Sequence, residues 1–137
     1  MSGDFEVMVH VSGSLSKVYD KAGLMIRTDP ENWIVSALEL FHGSYNHSTC
    51  WTRNHTDWSL CPLKDSVKAN GIWLCAKRIG PTYETYHSYD GQEWVQTRQG
   101  LFDVEEESVR VGIFCACPMG LSYSITFDKY KCQKINW

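Results

Sequence analysis

The sequence lacks a long apolar run and the features of an export signal. Residues 1–6 contain no basic start and no apolar segment, and an export signal needs both. The longest stretch without a charged residue, 111–127, is interrupted by Gly112, Pro118 and Gly120. This pattern is typical of two strands around a turn rather than of a membrane-spanning helix. We therefore expect a cytoplasmic protein with no membrane partner.

An excess of positive charge is also missing. The chain has 13 Lys and Arg against 16 Asp and Glu, which gives a net charge of −3. This balance argues against a nucleic-acid partner, which would require a basic surface. No glycine-rich phosphate loop occurs, so no cofactor is expected. The length of 137 residues predicts a single domain over residues 1–137.

No convincing amphipathic helix is present, and strand-like alternation takes its place. Phe5, Val7, Val9 and Val11 alternate with more polar residues, as in a half-buried strand. The polar segment 54–70 is predicted to be a long loop with a short turn of helix, and the acidic run 105–107 is predicted to be a loop. Asp90 and Gly91 predict a tight hairpin turn. The total of about eight to ten short strands favours an antiparallel sandwich or barrel. Further strands are predicted at 22–27, 33–41, 48–53, 71–79, 82–89, 94–101, 109–117 and 121–127, with a short one before Trp137.

The six cysteines include no Cys-x-x-Cys pair. Cys75, Cys115 and Cys117 occupy positions of predicted strands that suit small buried side chains. We therefore predict buried, reduced thiols rather than disulfides.

Four potential metal ligands lie close together in the sequence, namely His42, His47, Cys50 and His55. Their spacing matches no standard zinc motif. We therefore predict no metal. The spacing alone leaves open whether residues 42–55 bind a metal ion.

Several short motifs resemble the regulation-of-enolase-like family of small proteins, in the same order and over nearly the whole chain. The resemblance implies a concanavalin A-like, glucanase-type jelly roll, which is an all-β antiparallel sandwich with one sheet curved into a concave face. It implies no particular activity, since none is assigned to the family. The motifs are 19–27 (YDKAGLMIR), 33–39 (WIVSALE), 57–59 (DWS), 86–91 (YHSYDG), Trp94, Arg98, 111–114 (VGIF) and 116–118 (ACP).

Two residues depart from the family pattern. Val35 stands where the family commonly has a lysine, and Ala37 stands where it commonly has a glycine. A ligand contact by that lysine is therefore not carried over to this chain.

Glycoside hydrolysis on such a fold needs two carboxyl groups, about 5–10 Å apart. Glu39 and Glu84 each lack a second acid in phase on their own strand. We therefore predict no catalytic residues and favour a protein that is not an enzyme. A cryptic glycoside hydrolase is the enzymatic alternative.

Aromatic residues make up 13% of the chain, and several of them accompany charged residues. Glu39 stands in an apolar strand, so its carboxylate needs either a cation, such as Arg27 or Arg78, or an open groove. The second interpretation predicts a polar and aromatic groove on the concave sheet, of the kind that binds sugars. The predicted ligand-binding residues are Arg27, Trp33, Glu39, Asp57, Trp58, Arg78, Tyr86, Trp94 and Arg98.

The functional hypothesis is a non-catalytic binding module. Its expected ligand is a carbohydrate, a sugar phosphate or another small polar molecule. The alternative from a different class is a protein-interaction or regulatory factor linked to carbohydrate metabolism, with a protein partner.

Overall fold

The computed structural model describes residues 1–102, 108–120 and 123–137. Two five-stranded antiparallel sheets pack face to face, which confirms the predicted jelly-roll sandwich. The elements are β1 (Phe5–Ser14), β2 (Lys21–Asp29), β3 (Asn32–Phe41), β4 (Ser44–Arg53), β5 (His55–Pro62), α1 (Val67–Asn70), β6 (Ile72–Ile79), β7 (Thr82–Ser88), β8 (Val95–Leu101), β9 (Arg110–Ala116) and β10 (Ser124–Lys134).

The strand order separates the two sheets clearly. The first sheet has the order β10-β1-β6-β7-β8, and the second has the order β5-β4-β3-β2-β9. The edge strands are therefore β10 and β8 in the first sheet and β5 and β9 in the second. None of the described helices is long and apolar enough to cross a membrane.

The hydrophobic core lies between the sheets and follows the alternation of the sequence. Phe5, Val7, Val9 and Val11 are fully buried on one face of β1. Since successive side chains of a strand point to opposite faces, these residues form one continuous apolar surface. The second sheet contributes Leu24, Ile26, Ile34, Leu38 and Trp51 to the same core.

The segment 54–70, predicted to be a long loop with a short turn of helix, contains the short helix α1 and also a strand, β5. The prediction of a loop was wrong for β5 because this strand forms an edge and most of its residues are exposed. A polar edge strand shows little alternation in its sequence. The predicted acidic loop at 105–107 lies outside the described residues.

The last strand is also longer than predicted. The chain forms one continuous strand, β10, where the sequence suggested two short ones. The pairing of β1 with β10 shifts between Met8 and His10, and Lys129 adopts a positive φ of 54°. This irregularity breaks the period-two pattern, which explains why the sequence did not predict one strand.

The six cysteines are all free. Cys75 is buried, as predicted, but Cys115 is exposed and Cys117 is only half-buried. The prediction was wrong for Cys115 because β9 is an edge strand, where the inward direction is less completely covered.

Candidate functional site

The outer face of the second sheet, which points away from the core, contains a fully buried carboxylate. Glu39 in β3 has no exposed surface. Its neighbourhood is formed by small buried residues, namely Gly23 in β2, Ala37 in β3 and Ser48 in β4. Since alternation directs Glu39 and Leu38 to opposite faces, the hydrophobic core does not account for the burial of Glu39.

Lys21 and Trp58 both contact one oxygen of Glu39. Lys21 lies directly opposite in β2, and its Nζ is 3.5 Å from Oε1. The indole N–H of Trp58 donates to the same oxygen over 3.3 Å. Among the described residues, Oε2 of Glu39 and the hydroxyl of Ser48 have no hydrogen-bond partner. Both atoms are inaccessible to solvent, so each carries the cost of an unpaired buried polar group.

The strand register explains how Trp58 reaches Glu39. Trp58 in β5 is paired with Cys50, and Glu39 is paired with Asn46. Ser48 lies between these two positions on the same face of β4. The indole therefore extends along the sheet across the position of Ser48.

Aromatic rings border this site. Trp58 is 41% exposed and Tyr19 is 39% exposed. The ring centroids of Phe41 and Trp58 are 5.3 Å apart, and those of Tyr19 and Trp58 are 6.4 Å apart. Rings this close pack against each other. We call this cluster of side chains, formed by Tyr19, Lys21, Glu39, Phe41, Ser48 and Trp58, the Glu39 pocket; its carboxylate lies below the surface, without exposed area.

The chemistry of the Glu39 pocket suits a polyhydroxylated ligand. The exposed part of Trp58 offers a flat apolar surface, on which a pyranose ring can stack. The ammonium group of Lys21, which is partly exposed, can donate to sugar hydroxyls, whereas the buried Glu39 orients Lys21 and Trp58. Among the residues of the Glu39 pocket there is no second carboxylate, so the acid pair of a glycosidase is missing there.

Arg27 and Trp33 lie on the same face but at its other end. They are directly opposite each other in β2 and β3. Trp33 and Glu39 are six positions apart on one strand, which corresponds to about 20 Å. These two predicted residues therefore do not contact the Glu39 pocket.

Asp57 and Arg98 join the two sheets at one open edge. The guanidinium of Arg98 in β8 donates to both carboxylate oxygens of Asp57 in β5, over 2.6 and 3.2 Å. These hydrogen bonds hold the pKa of the Asp57 carboxyl below its usual range. Arg98 also lies over the ring of Trp51, with its Cζ 4.2 Å from the centroid. The pair therefore links β5 of the second sheet to β8 of the first sheet at this edge.

Tyr86 and Trp94 lie on the outer face of the first sheet. They line a cavity of about 120 Å³ together with Glu6, Cys75 and Lys77, among others. The Tyr86 hydroxyl donates to Glu84. Burial, together with this hydrogen bond, raises the pKa of Tyr86 to about 12.

Arg78 is in β6 of the first sheet, opposite Phe5 and Tyr83. Its charge contributes to lowering the pKa of Asp4.

The nine predicted residues therefore do not converge on one groove. The cation partner of Glu39 is Lys21, not Arg27 or Arg78 as expected. Of the nine, the structure brings Glu39 and Trp58 together at a pocket.

The sequence reasoning missed Tyr19, Lys21, Phe41 and Ser48. Counting back from the turn between β2 and β3 does not identify Lys21, because it pairs Lys21 with Leu40; the register shift between Arg27 and Asp29 is what places Lys21 opposite Glu39. No local signal identifies Tyr19 either, which precedes β2 in a loop and reaches Phe41 through tertiary packing.

The four potential metal ligands do not meet. His47 points into the core, where it contacts His87, whereas Cys50 lies on the opposite face of β4. His42 and His55 are exposed near the strand ends. In the part of the chain that the structure describes, no group of three or more His, Cys, Asp or Glu side chains could hold a metal ion.

The fold and the strand order define this chain as a concanavalin A-like β-sandwich protein. Within that class it belongs to the family of proteins of unknown function DUF1349, which matches residues 1–135. It is similar to Regulation of enolase protein 1 of Saccharomyces cerevisiae, with 26% identity over 126 residues. That match covers 92% of this chain and 62% of the yeast protein, so the chain spans less than two thirds of this relative's length.

Solved structures share the fold. A functionally unknown protein from Saccharomyces cerevisiae superposes with a TM-score of 0.91 at 23% identity, covering 100% of this chain and 72% of that one. A xylan beta-1,4-xylosidase from Bacillus halodurans has a TM-score of 0.83 at 18% identity, covering 97% of this chain and 28% of the enzyme. The sandwich therefore also occurs as part of a much larger glycosidase.

Proposed function

We propose that this protein is a non-catalytic binding module that recognises a carbohydrate at the Glu39 pocket. One observation carries the proposal: a half-exposed Trp58 donates its indole N–H to the fully buried carboxylate of Glu39. This arrangement fixes a stacking surface close to the ammonium group of Lys21, which contacts the same carboxylate oxygen; an aromatic surface with a polar group beside it is the combination that sugar recognition requires. The partly exposed Lys21 gives a ligand hydroxyl a hydrogen-bond donor.

The lack of a second carboxylate among the residues of the Glu39 pocket favours binding over hydrolysis. A glycosidase places a second carboxyl group across the scissile bond, and the described positions around Glu39 provide none. The similar xylosidase is a hydrolase by name, but the likeness extends to the fold alone. We further propose a cytoplasmic location, which the six free thiols support.

The proposal is tested with a panel of neutral oligosaccharides by calorimetry and thermal shift. We expect at least one saturable ligand, whose affinity falls about tenfold or more in Trp58→Ala, because stacked aromatic rings contribute strongly to binding. Trp94→Ala is the matched control, since Trp94 lies on the other sheet, and it should bind as the wild type does. A panel without any saturable ligand, or a Trp58→Ala protein that binds normally, would overturn the proposal.

A second candidate function is binding of an extended protein segment between the edge strands β9 and β10. These strands flank a cavity of about 510 Å³, lined by Cys115, Tyr123, Ile125 and Phe127 among others, and Ile113 of β9 is 53% exposed. Unpaired edge strands can accept a further strand. A protein partner that no longer binds the Ile113→Lys variant but still binds the Trp58→Ala variant would favour this function over the first.

A further inference from the structure

Two arginines face each other at the end of the second sheet farthest from the Glu39 pocket. Arg27 of β2 is directly paired with Arg110 of β9, so both side chains start from the same face of the sheet. They line one cavity of about 350 Å³ together with Thr28, Asp29 and Pro30. The two guanidinium groups thus border the same open volume.

Such a pair is electrostatically unfavourable by itself. Like charges directly opposite each other on neighbouring strands destabilise a sheet. Within the described part of the chain, neither Arg27 nor Arg110 forms an ion pair of 4.0 Å or less. Asp29, which lines the same cavity and interacts with the charge of Arg27, compensates this repulsion only in part.

One carboxylate lies in the cavity lining, that of Asp29. Both oxygens of Asp29 accept hydrogen bonds from the Asn32 side chain, and Oδ1 also accepts from the backbone N–H of Glu31. These hydrogen bonds lower the pKa of Asp29, and the charge of Arg27 is the smallest of the causes. Asp29 therefore stays ionised and offsets one positive charge, so two arginines and one carboxylate leave the lining with a net positive charge.

We propose that Arg27 and Arg110 form a binding site for a phosphate group, either as a phosphate monoester or as the free anion. Guanidinium groups bind phosphate oxygens through two parallel N–H donors, and two of them match a doubly charged tetrahedral anion. The hydroxyl of Thr28 is a further donor in the same cavity. A bound dianion also removes the repulsion between the two arginines.

This site is independent of the proposed carbohydrate site. Trp33, which is paired with Arg27, lies about 20 Å from Glu39 along β3. Lys21 and Arg27 are likewise six positions apart on β2, about 20 Å, so a single sugar phosphate cannot contact both Lys21 and the arginine pair. Failure of either proposal therefore leaves the other intact.

The test is calorimetric titration at low ionic strength with inorganic phosphate, glucose 6-phosphate and glucose. We expect both phosphate compounds to bind saturably, with affinities that fall about tenfold or more in Arg27→Gln and in Arg110→Gln. Lys131→Gln is the control for a lost charge, because Lys131 is exposed in β10 of the other sheet, and it should change the affinity less than about threefold. Trp58→Ala should leave phosphate binding unchanged.

The comparison of ligands identifies the source of the phosphate group. Tighter binding of glucose 6-phosphate than of inorganic phosphate supports an ester, and equal affinities support recognition of the anion itself. The proposal is overturned if neither phosphate compound binds saturably. It is also overturned if Arg27→Gln and Arg110→Gln, with circular dichroism spectra like that of the wild type, lose no more affinity than Lys131→Gln.

Discussion

The imidazole rings of His47 and His87 meet inside the sandwich, where their Nδ1 atoms lie 3.0 Å apart. His47 belongs to the second sheet and His87 to the first, so this contact joins the two layers. The Nε2 atom of His47 lies 2.7 Å from the hydroxyl of Ser36. With one ring nitrogen near each partner, His47 is fully hydrogen-bonded as a neutral imidazole.

This contact predicts a loss of stability in mild acid. Burial, with a smaller contribution from the charge of His87, lowers the pKa of His47 from 6.5 to about 3, and burial also lowers the pKa of His87. The folded protein therefore binds fewer protons than the unfolded chain below pH 6.5, so its stability is highest above that pH and falls as the pH decreases. Through His47, each pH unit below 6.5 lowers the free energy of unfolding by up to about 1.4 kcal/mol.

Urea denaturation between pH 7 and pH 4.5 measures the effect, in a range where carboxylates stay mostly ionised. His47→Gln should flatten the pH dependence, whereas His55→Gln, which changes an exposed histidine, should leave it as in the wild type. A wild-type midpoint that does not move between pH 7 and pH 4.5 would contradict the prediction.

Two glycines on the outer face of the second sheet should differ sharply in their tolerance of alanine. A Cβ at Gly23 would clash with the backbone oxygen of Ser36 and lie 2.6 Å from the Cα of Ala37, whereas a Cβ at Gly112 would meet nothing within 4 Å. Backbone atoms cannot move aside without disturbing the pairing of β2 with β3, so we expect Gly23→Ala to lose more than about 2 kcal/mol of stability. Gly112→Ala, also measured by urea denaturation, should lose less than about 0.5 kcal/mol of stability. Similar losses in the two variants would disprove the close approach of β2 and β3 at Gly23.

The sequence predicted the fold better than the site, for a physical reason. Alternation in β1 shows directly which residues face the core, because a strand buries one of its two faces whatever its neighbours are. The site depends on which sheet a strand joins, and alternation does not contain that information. Glu39 and Tyr86 both lie on predicted strands, yet they belong to different sheets. Glu39 could be recognised because a lone carboxylate in an apolar strand requires a partner wherever the strand lies.

The ion pair between Lys21 and Glu39 should contribute mainly by compensating a buried charge. Lys21→Met leaves the fully buried carboxylate without its cation, and we expect a loss of about 3 kcal/mol in the free energy of unfolding. In a Glu39→Gln background the same substitution should cost much less, because no buried charge remains. A double-mutant cycle by urea denaturation measures this difference, and equal losses in the two backgrounds would show that the pair is not coupled.

The exposed edge strand β9 predicts which thiol reacts first. Cys115 is exposed, whereas Cys50 and Cys75 are buried, and burial raises the pKa of Cys75 to about 12. Since the thiolate is the reactive species and the reagent must reach it, Cys115 should be labelled fastest by an aromatic disulfide reagent under native conditions. Cys115→Ser should remove the fast phase, and Cys75→Ser, its control on a buried strand, should keep it. A fast phase that persists in Cys115→Ser would show that another thiol is more accessible than its position in the sandwich indicates.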